Sequence, residues 1–383
     1  MRLAFVINLA PRMVGSFEDW IAAVCATARE RGHWVDVYGR NPAHPVFLKR
    51  LSSLGAGWAT ADSLLASTYR GIRRLASYQA IHLDLFPPHS RMALMALAAV
   101  PAKVLFVDHA SSTGARPEGR IASAMRRALG SAAMLRVAGI AGVSNYVAER
   151  NRRRFPHEAS RVRTLYGGVD LERFLSPPPR LNGDADRRAL RVLTVGHLLP
   201  EKGVEFLVRG VALAKNRELQ LVICGDGPEM GNLQALAARL GIRDRVEFTG
   251  LRDDVPEFLE DCDVFVHPAI WQEAFGLAIA EAMASARPVI ATRVGGVPEL
   301  VEHRQTGLLV EPQNAQQIAD ALDLLSDHPE LRRALGAGGR VRATERFNLT
   351  SCALAHVTWC EEAAGIRRRG RLPSMGHAAH RPA

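Results

Sequence analysis

Between Trp271 and Ser285 the chain reads WQEAFGLAIAEAMAS, which sets two carboxylates, Glu273 and Glu281, eight positions apart. Phe275, Gly276 and Leu277 lie between them, followed by an Ala-rich run. The pattern predicts Glu273 in a loop and Gly276 near the N-terminus of a helix that carries Glu281. The free amides of a first helical turn, and the positive end of the helix dipole, would then face the same space as both acids. Such amides suit a phosphate, and flanking carboxylates accept from hydroxyl groups. Eight helical residues rise about 12 Å. That is roughly the span of a molecule with hydroxyls at both ends and a diphosphate between them.

A second group lies upstream. Gly196 and His197 open GHLLPEKG, which follows the strand-like run RVLTV and contains Lys202. The glycine permits close approach by a ligand, and Lys202 can set a point charge on a phosphate before a helix end. Gly225 and Gly227 follow the run LQLVIC, and Gly295-Gly296 follows PVIA. Four strand ends would thus present glycines or functional groups on the carboxyl side of one sheet, where doubly wound sheets bind ligands. Core packing alone requires none of this.

The elements that must position these residues can be read in order. Residues 2–8 form a strand, followed by a loop with Pro11 and Gly15. Ser16 is expected as the N-cap of a helix running to Arg31, with Gly32 as its stop. Further strands are expected at 33–38, 80–84, 103–107, 138–143 and about 161–166, with helices at 62–77, 90–99, 118–130 and 144–155. No GxGxxG opens the first unit, so a nicotinamide cofactor has little support. The segment 176–188 (SPPPRLNGDADRR) reads as a linker. The alternation then restarts, with strands at 191–195, 219–224, 245–248, 263–266, 288–291 and 307–310. Helices are expected from about Lys202, and at 229–240, 254–260, near 297–303 and at 314–326. The expected fold is α/β, with two Rossmann-like doubly wound domains facing across a cleft: residues 1–178 and 191–345, joined by a linker at 179–190. A C-terminal helix at 346–365 should pack across both domains, and the basic tail 366–383 should be disordered.

The chain has 383 residues, 48% hydrophobic and 23% charged, with no apolar run as long as a bilayer span. MRLAFVINLAPR is broken by Asn8 and carries no small-residue cleavage site, so it reads as a strand rather than a signal peptide. Five scattered cysteines form no CxxC pair, which points to reduced thiols in the cytoplasm and no zinc. Residues 1–178 hold 24 Lys/Arg against 12 Asp/Glu, a balance of +12, whereas the remainder holds 25 against 27. A basic first half is expected to meet something anionic: a membrane surface, an acidic substrate or nucleic acid. The Arg-rich run 148–163 has few aromatics and no legible recognition pattern, so nucleic acid is not expected.

These motifs together resemble the retaining glycosyltransferases of family 4, which have the GT-B fold. The resemblance rests on VFVHPAIWQEAFGLAIAEAMA, VGHLLPEKG, GDGP, VGGVPELVEHRQTGLLVEP and YGGVDLERF. It is strong over about 160–350 and thinner over 1–160. It implies a donor diphosphate on Lys202, donor ribose hydroxyls on Glu281, and hydroxyls of the transferred sugar on Glu273. Phe275, Gly276 and Leu277 would offer backbone amides. Thr249–Asp253, including Leu251, and the turn at Gly225 and Gly227 would lie near the base. Gly15 and Gly196 would admit the phosphates. His109, in LFVDHASS, resembles the family histidine that reaches the sugar from the acceptor side. Two departures fall on donor contacts. His197 stands where the family usually has Arg, and Val14-Gly15-Ser16 replaces a Gly-Gly. A neutral imidazole is the weaker anion partner, so weaker donor binding is expected.

The resemblance further implies same-face attack with the leaving diphosphate as base. No DxD-like motif is evident, so no metal and no cofactor are expected beyond a UDP- or GDP-linked donor. The expected acceptor is lipid-linked or a glycan of cell-envelope or polysaccharide biosynthesis, met in the cytoplasm or peripherally at the inner face of the plasma membrane. The rivals are a nucleotide-sugar epimerase of GT-B fold and a non-catalytic binder of anionic surfaces.

Overall fold

The computed structural model describes residues 1–10, 15–86, 88–109, 120–174 and 190–366. The predicted linker up to 189, the tail from 367 and Val14 lie outside the described residues.

The first sheet has seven strands: β1 (Arg2–Ile7), β2 (Trp34–Gly39), β3 (Gly57–Thr60), β4 (Ala80–Asp84), β5 (Lys103–Asp108), β6 (Gly139–Gly142) and β7 (Val162–Thr164). They are parallel and ordered β3-β2-β1-β4-β5-β6-β7. The second has β8 (Arg191–Val195), β9 (Gln220–Cys224), β10 (Val246–Gly250), β11 (Val264–His267), β12 (Val289–Thr292) and β13 (Gly307–Val310), ordered β10-β9-β8-β11-β12-β13. Every residue of β1 after Arg2 is buried, as is all of β4 and β12. Helices on both faces of a parallel sheet require such unbroken apolar runs. Chain order reverses between β1 and β4 in one sheet and between β8 and β11 in the other. Those two switch points are where this topology opens a crevice.

The structure corrects the expected elements in three places. Ser16 is not the cap of the first helix. That helix spans Ser16–Glu30, Gly15 precedes it, and the Glu18 carboxylate accepts from the Gly15 amide at 3.1 Å. The stretch 62–77 is two helices, Ala61–Leu65 and Thr68–Leu75, because Ser67 caps the second. A helix at Pro45–Ser53 and edge strand β3 precede it where no element was expected.

A continuous apolar core runs from β1 and the Ser16–Glu30 helix through Phe275 and Phe347 to Trp359, and so spans both domains. Tyr166, Phe275 and Phe347 pack together within it, with ring centroids 5.4–6.2 Å apart. The Pro329–Arg346 helix packs on the second domain, and the last helix, Leu349–Ala363, returns to lie along Ser16–Glu30 of the first. No helix among the described residues is long and apolar enough to cross a membrane.

Candidate active site

The second switch point collects the charged residues. The loop leaving β11 carries Glu273, which is buried. Its Oε2 accepts from the Lys202 ammonium at 2.7 Å, with His267 Nε2 and the Trp271 indole nitrogen each at 3.4 Å. Burial alone would raise the Glu273 pKa, but His267 and Lys202 outweigh it and hold the carboxylate well below its usual range. Lys202 is not on a long helix. It ends a short 3₁₀ turn, Pro200–Lys202, which Gly203 closes at φ +63°, and it lies over the Trp271 ring at 5.3 Å. Gly295 and Gly296 hold the main chain of Glu273: the Gly296 amide donates to the Glu273 carbonyl at 2.8 Å, and a Cβ on Gly295 would stand 2.1 Å from that oxygen.

Gly276, at φ +100°, precedes the helix Leu277–Ala284 that carries Glu281. The amides of Ile279 and Ala280 return to the Gly276 carbonyl, and those ahead of them have no acceptor within the helix. Phe275, Gly276 and Leu277 border a cavity of about 230 Å³, together with Glu273 and, from the other domain, His109, Phe17 and Trp20. Glu281 is buried and accepts from the Ser16 hydroxyl across the cleft. Burial raises its pKa, against the lowering effects of Ser16 and Arg173. Arg173 in turn binds Asp19 at 2.8 Å and the Asp253 carbonyl at 3.1 Å.

The glycines divide by role. A Cβ on Gly225 would stand 1.9 Å from the Gly196 carbonyl and one on Gly227 2.5 Å from that of Leu198, so these two let the loops after β8 and β9 close on each other. Gly196, at φ +154°, faces open space beside exposed His197. Leu251 is 61% exposed after β10, next to the Arg252–Asp254 ion pair.

At the first switch point, Asp84 ends β4 and is fully buried. Its Oδ1 meets His109 Nε2 at 2.9 Å and its Oδ2 meets His82 Nδ1 at 2.6 Å. His356, on the last helix, faces His82 at 3.3 Å and borders the same cavity as His109. The sequence reading gave no role to Asp84, His82, His267 or His356, and it took Ser16 for a helix cap rather than a partner of Glu281. Of these four, only His267 stood in a quoted motif; His82 and Asp84 are neighbours on one strand, and folding adds His109 and His356 to them from 25 and 274 residues away.

Two doubly wound domains whose switch points face each other define the GT-B class of architecture. A family model described as Glycosyltransferase Family 4 matches residues 18–173, and one described as Glycosyl transferases group 1 matches residues 183–342. Between them they account for both domains, and the chain belongs to the family 4 glycosyltransferases. Similar proteins include the alpha-D-kanosaminyltransferase of Streptomyces kanamyceticus, 34% identical over 181 residues (46% of this chain, 45% of that protein). Another is the GDP-mannose-dependent alpha-(1-6)-phosphatidylinositol monomannoside mannosyltransferase of Mycobacterium tuberculosis, 34% identical over 239 residues (58% and 62%). The chain thus spans about half the length of the curated relatives it matches. The solved structure of Anabaena HepE in complex with UDP shares the fold, with a TM-score of 0.77, 20% identity, and coverage of 94% of this chain and all of that one.

Proposed function

We propose that this protein is a retaining glycosyltransferase that moves a sugar from a nucleoside-diphosphate donor to a lipid-linked or glycan acceptor of the cell envelope. The observation that carries the proposal is the Lys202–Glu273 pair at the second switch point, one helix away from Glu281 and across a cavity from His109. Lys202 and the amides before Ile279 receive the diphosphate, Glu281 the ribose hydroxyls, and Glu273 the hydroxyls of the transferred sugar. Charge building on the departing diphosphate is stabilised by Lys202 and the helix end, and the diphosphate takes the acceptor proton on the same face. The names of relatives support this reading: three are GDP-mannose-dependent phosphatidylinositol monomannoside mannosyltransferases, and one is a lipopolysaccharide core biosynthesis glycosyltransferase.

A thermal-shift panel of UDP, GDP, ADP and their sugars identifies the donor, since a bound ligand stabilises the fold in proportion to its saturation. Transfer with that donor should vanish in Glu273→Ala, and unchanged product formation would refute the site assignment. The reaction needs no metal and no cofactor beyond the donor, so chelator should leave the rate intact. Loss of activity with chelator and recovery with Mn²⁺ would contradict this. The basic first domain exposes Arg153, Arg161 and Arg163, and we propose that it meets the inner face of the plasma membrane. Flotation with vesicles containing acidic lipid, but not with neutral ones, checks that proposal.

A further inference from the structure

We infer that Asp84 is a positioning residue for His109, and that His82 and His356 complete a chain fixing which ring nitrogen His109 offers to the cleft. The inference rests on the reading of that cleft as the transfer site.

A fully buried carboxylate is an acceptor only, and it stays charged only where donors satisfy it. Both Asp84 oxygens face imidazole nitrogens, at 2.9 Å and 2.6 Å. Burial raises the Asp84 pKa, but His82 and His109 outweigh it and press the acid well below its usual range. The proton must therefore sit on Nε2 of His109 and on Nδ1 of His82. A neutral His109 then keeps Nδ1 as its acceptor nitrogen.

The second layer holds this in place. His82 Nε2 meets His356 Nδ1 at 3.3 Å, and His82 is 1% exposed. Trp20 packs on all three histidine rings, with centroids 5.7 Å from His109, 6.1 Å from His82 and 5.1 Å from His356. Phe17 closes on the His109 edge at 5.6 Å. Burial pushes the His356 pKa down to about 3, so that ring enters the chain uncharged. His109 and His356 border the cavity opposite Glu273. Asp84, His82 and His356 thus turn His109 into an acceptor for a hydroxyl of the bound sugar or acceptor. Without Asp84 the ring is free to take the other tautomer and donate instead.

The test needs two measurements. In wild-type protein labelled with ¹⁵N-histidine, long-range ¹H–¹⁵N correlation, assigned with His109→Ala, should show His109 as the Nε2–H tautomer. In Asp84→Asn, where the amide can donate as well as accept, that signature should become mixed or reversed. Turnover should fall about 10- to 100-fold, taking the outer partners of metal-bound histidines as the guide, while the Kd for the nucleoside diphosphate stays within about twofold. Asp84→Asn added to His109→Ala should cost little more, because the two act as one unit, whereas a purely structural role would add its cost independently. A wild-type His109 in the Nδ1–H tautomer, or Asp84→Asn with wild-type turnover, would overturn the inference. If Asp84→Asn does not fold, the wild-type tautomer decides. If the wild type transfers no sugar, the proposed reaction fails and the tautomer alone judges the positioning.

Discussion

Glu281 is a group the fold would be steadier without. An acid whose pKa is higher in the folded than in the unfolded chain favours folding when protonated, so its charge costs stability above the unfolded value. Glu281→Gln keeps an oxygen for the Ser16 hydroxyl and removes the charge. It should melt no lower than the wild type, yet bind the donor nucleotide roughly 10- to 150-fold more weakly, the worth of about 1.5–3 kcal/mol for a hydrogen bond to a charged group. Paired melting and calorimetric titration check both halves, and equal affinity would remove Glu281 from the donor site. Glu273, Glu281 and Lys202 were legible because each stands in a short motif that follows a strand end, although Lys202 and Glu273 are 71 residues apart. Asp84 was not. It and His82 lie within a fully buried strand with no motif to mark them, and the partners that give them a place in the cleft, His109 and His356, stand 25 residues from Asp84 and 274 from His82. Periodicity marks such residues only as buried.

At the scale of elements, the Glu273 loop depends on the glycine that packs against its backbone. Gly295, at φ +53°, lets its loop lie on the backbone of Glu273. Gly295→Ala must shift one of the two, with backbone strain of about 1–3 kcal/mol. Since a misplacement near 1 Å can cost about 100-fold in rate, turnover should fall by roughly that factor while the variant still folds at a reduced melting temperature. Normal turnover would show that Glu273 is held by other contacts. Strong apolar runs made the buried strands readable. Edge strand β3 escaped because GWAT is short and only half-buried, with no alternation to mark it. The two helices after it merged in the reading because both share one helical spacing, and only the Ser67 side chain separates them.

Over the whole molecule, the return of the last helix ties the chain's two ends. Glu361 on that helix meets Arg31 at 3.0 Å and His33 at 2.7 Å. Burial would raise its pKa, but Arg31 and His33 lower it below 4.5 on balance. A depressed carboxylate contributes stability that is fully present above its unfolded pKa and is lost as pH falls through the folded value. Glu361→Gln should therefore melt lower than the wild type at neutral pH, with the gap closing below about pH 4. A gap independent of pH would assign the contact a packing role alone.

The Leu349–Ala363 helix lies at the far end of the sequence, but it is structurally a part of the first domain. It supplies His356 beside the cavity, Glu361 to Arg31 and His33, and Trp359 against Gly139. For anyone recombining the two domains between related chains, the unit of exchange is therefore discontinuous. A chimera that takes residues 1–173 from one parent should inherit that parent's helix as well, or its first domain will be packed against a helix shaped to another.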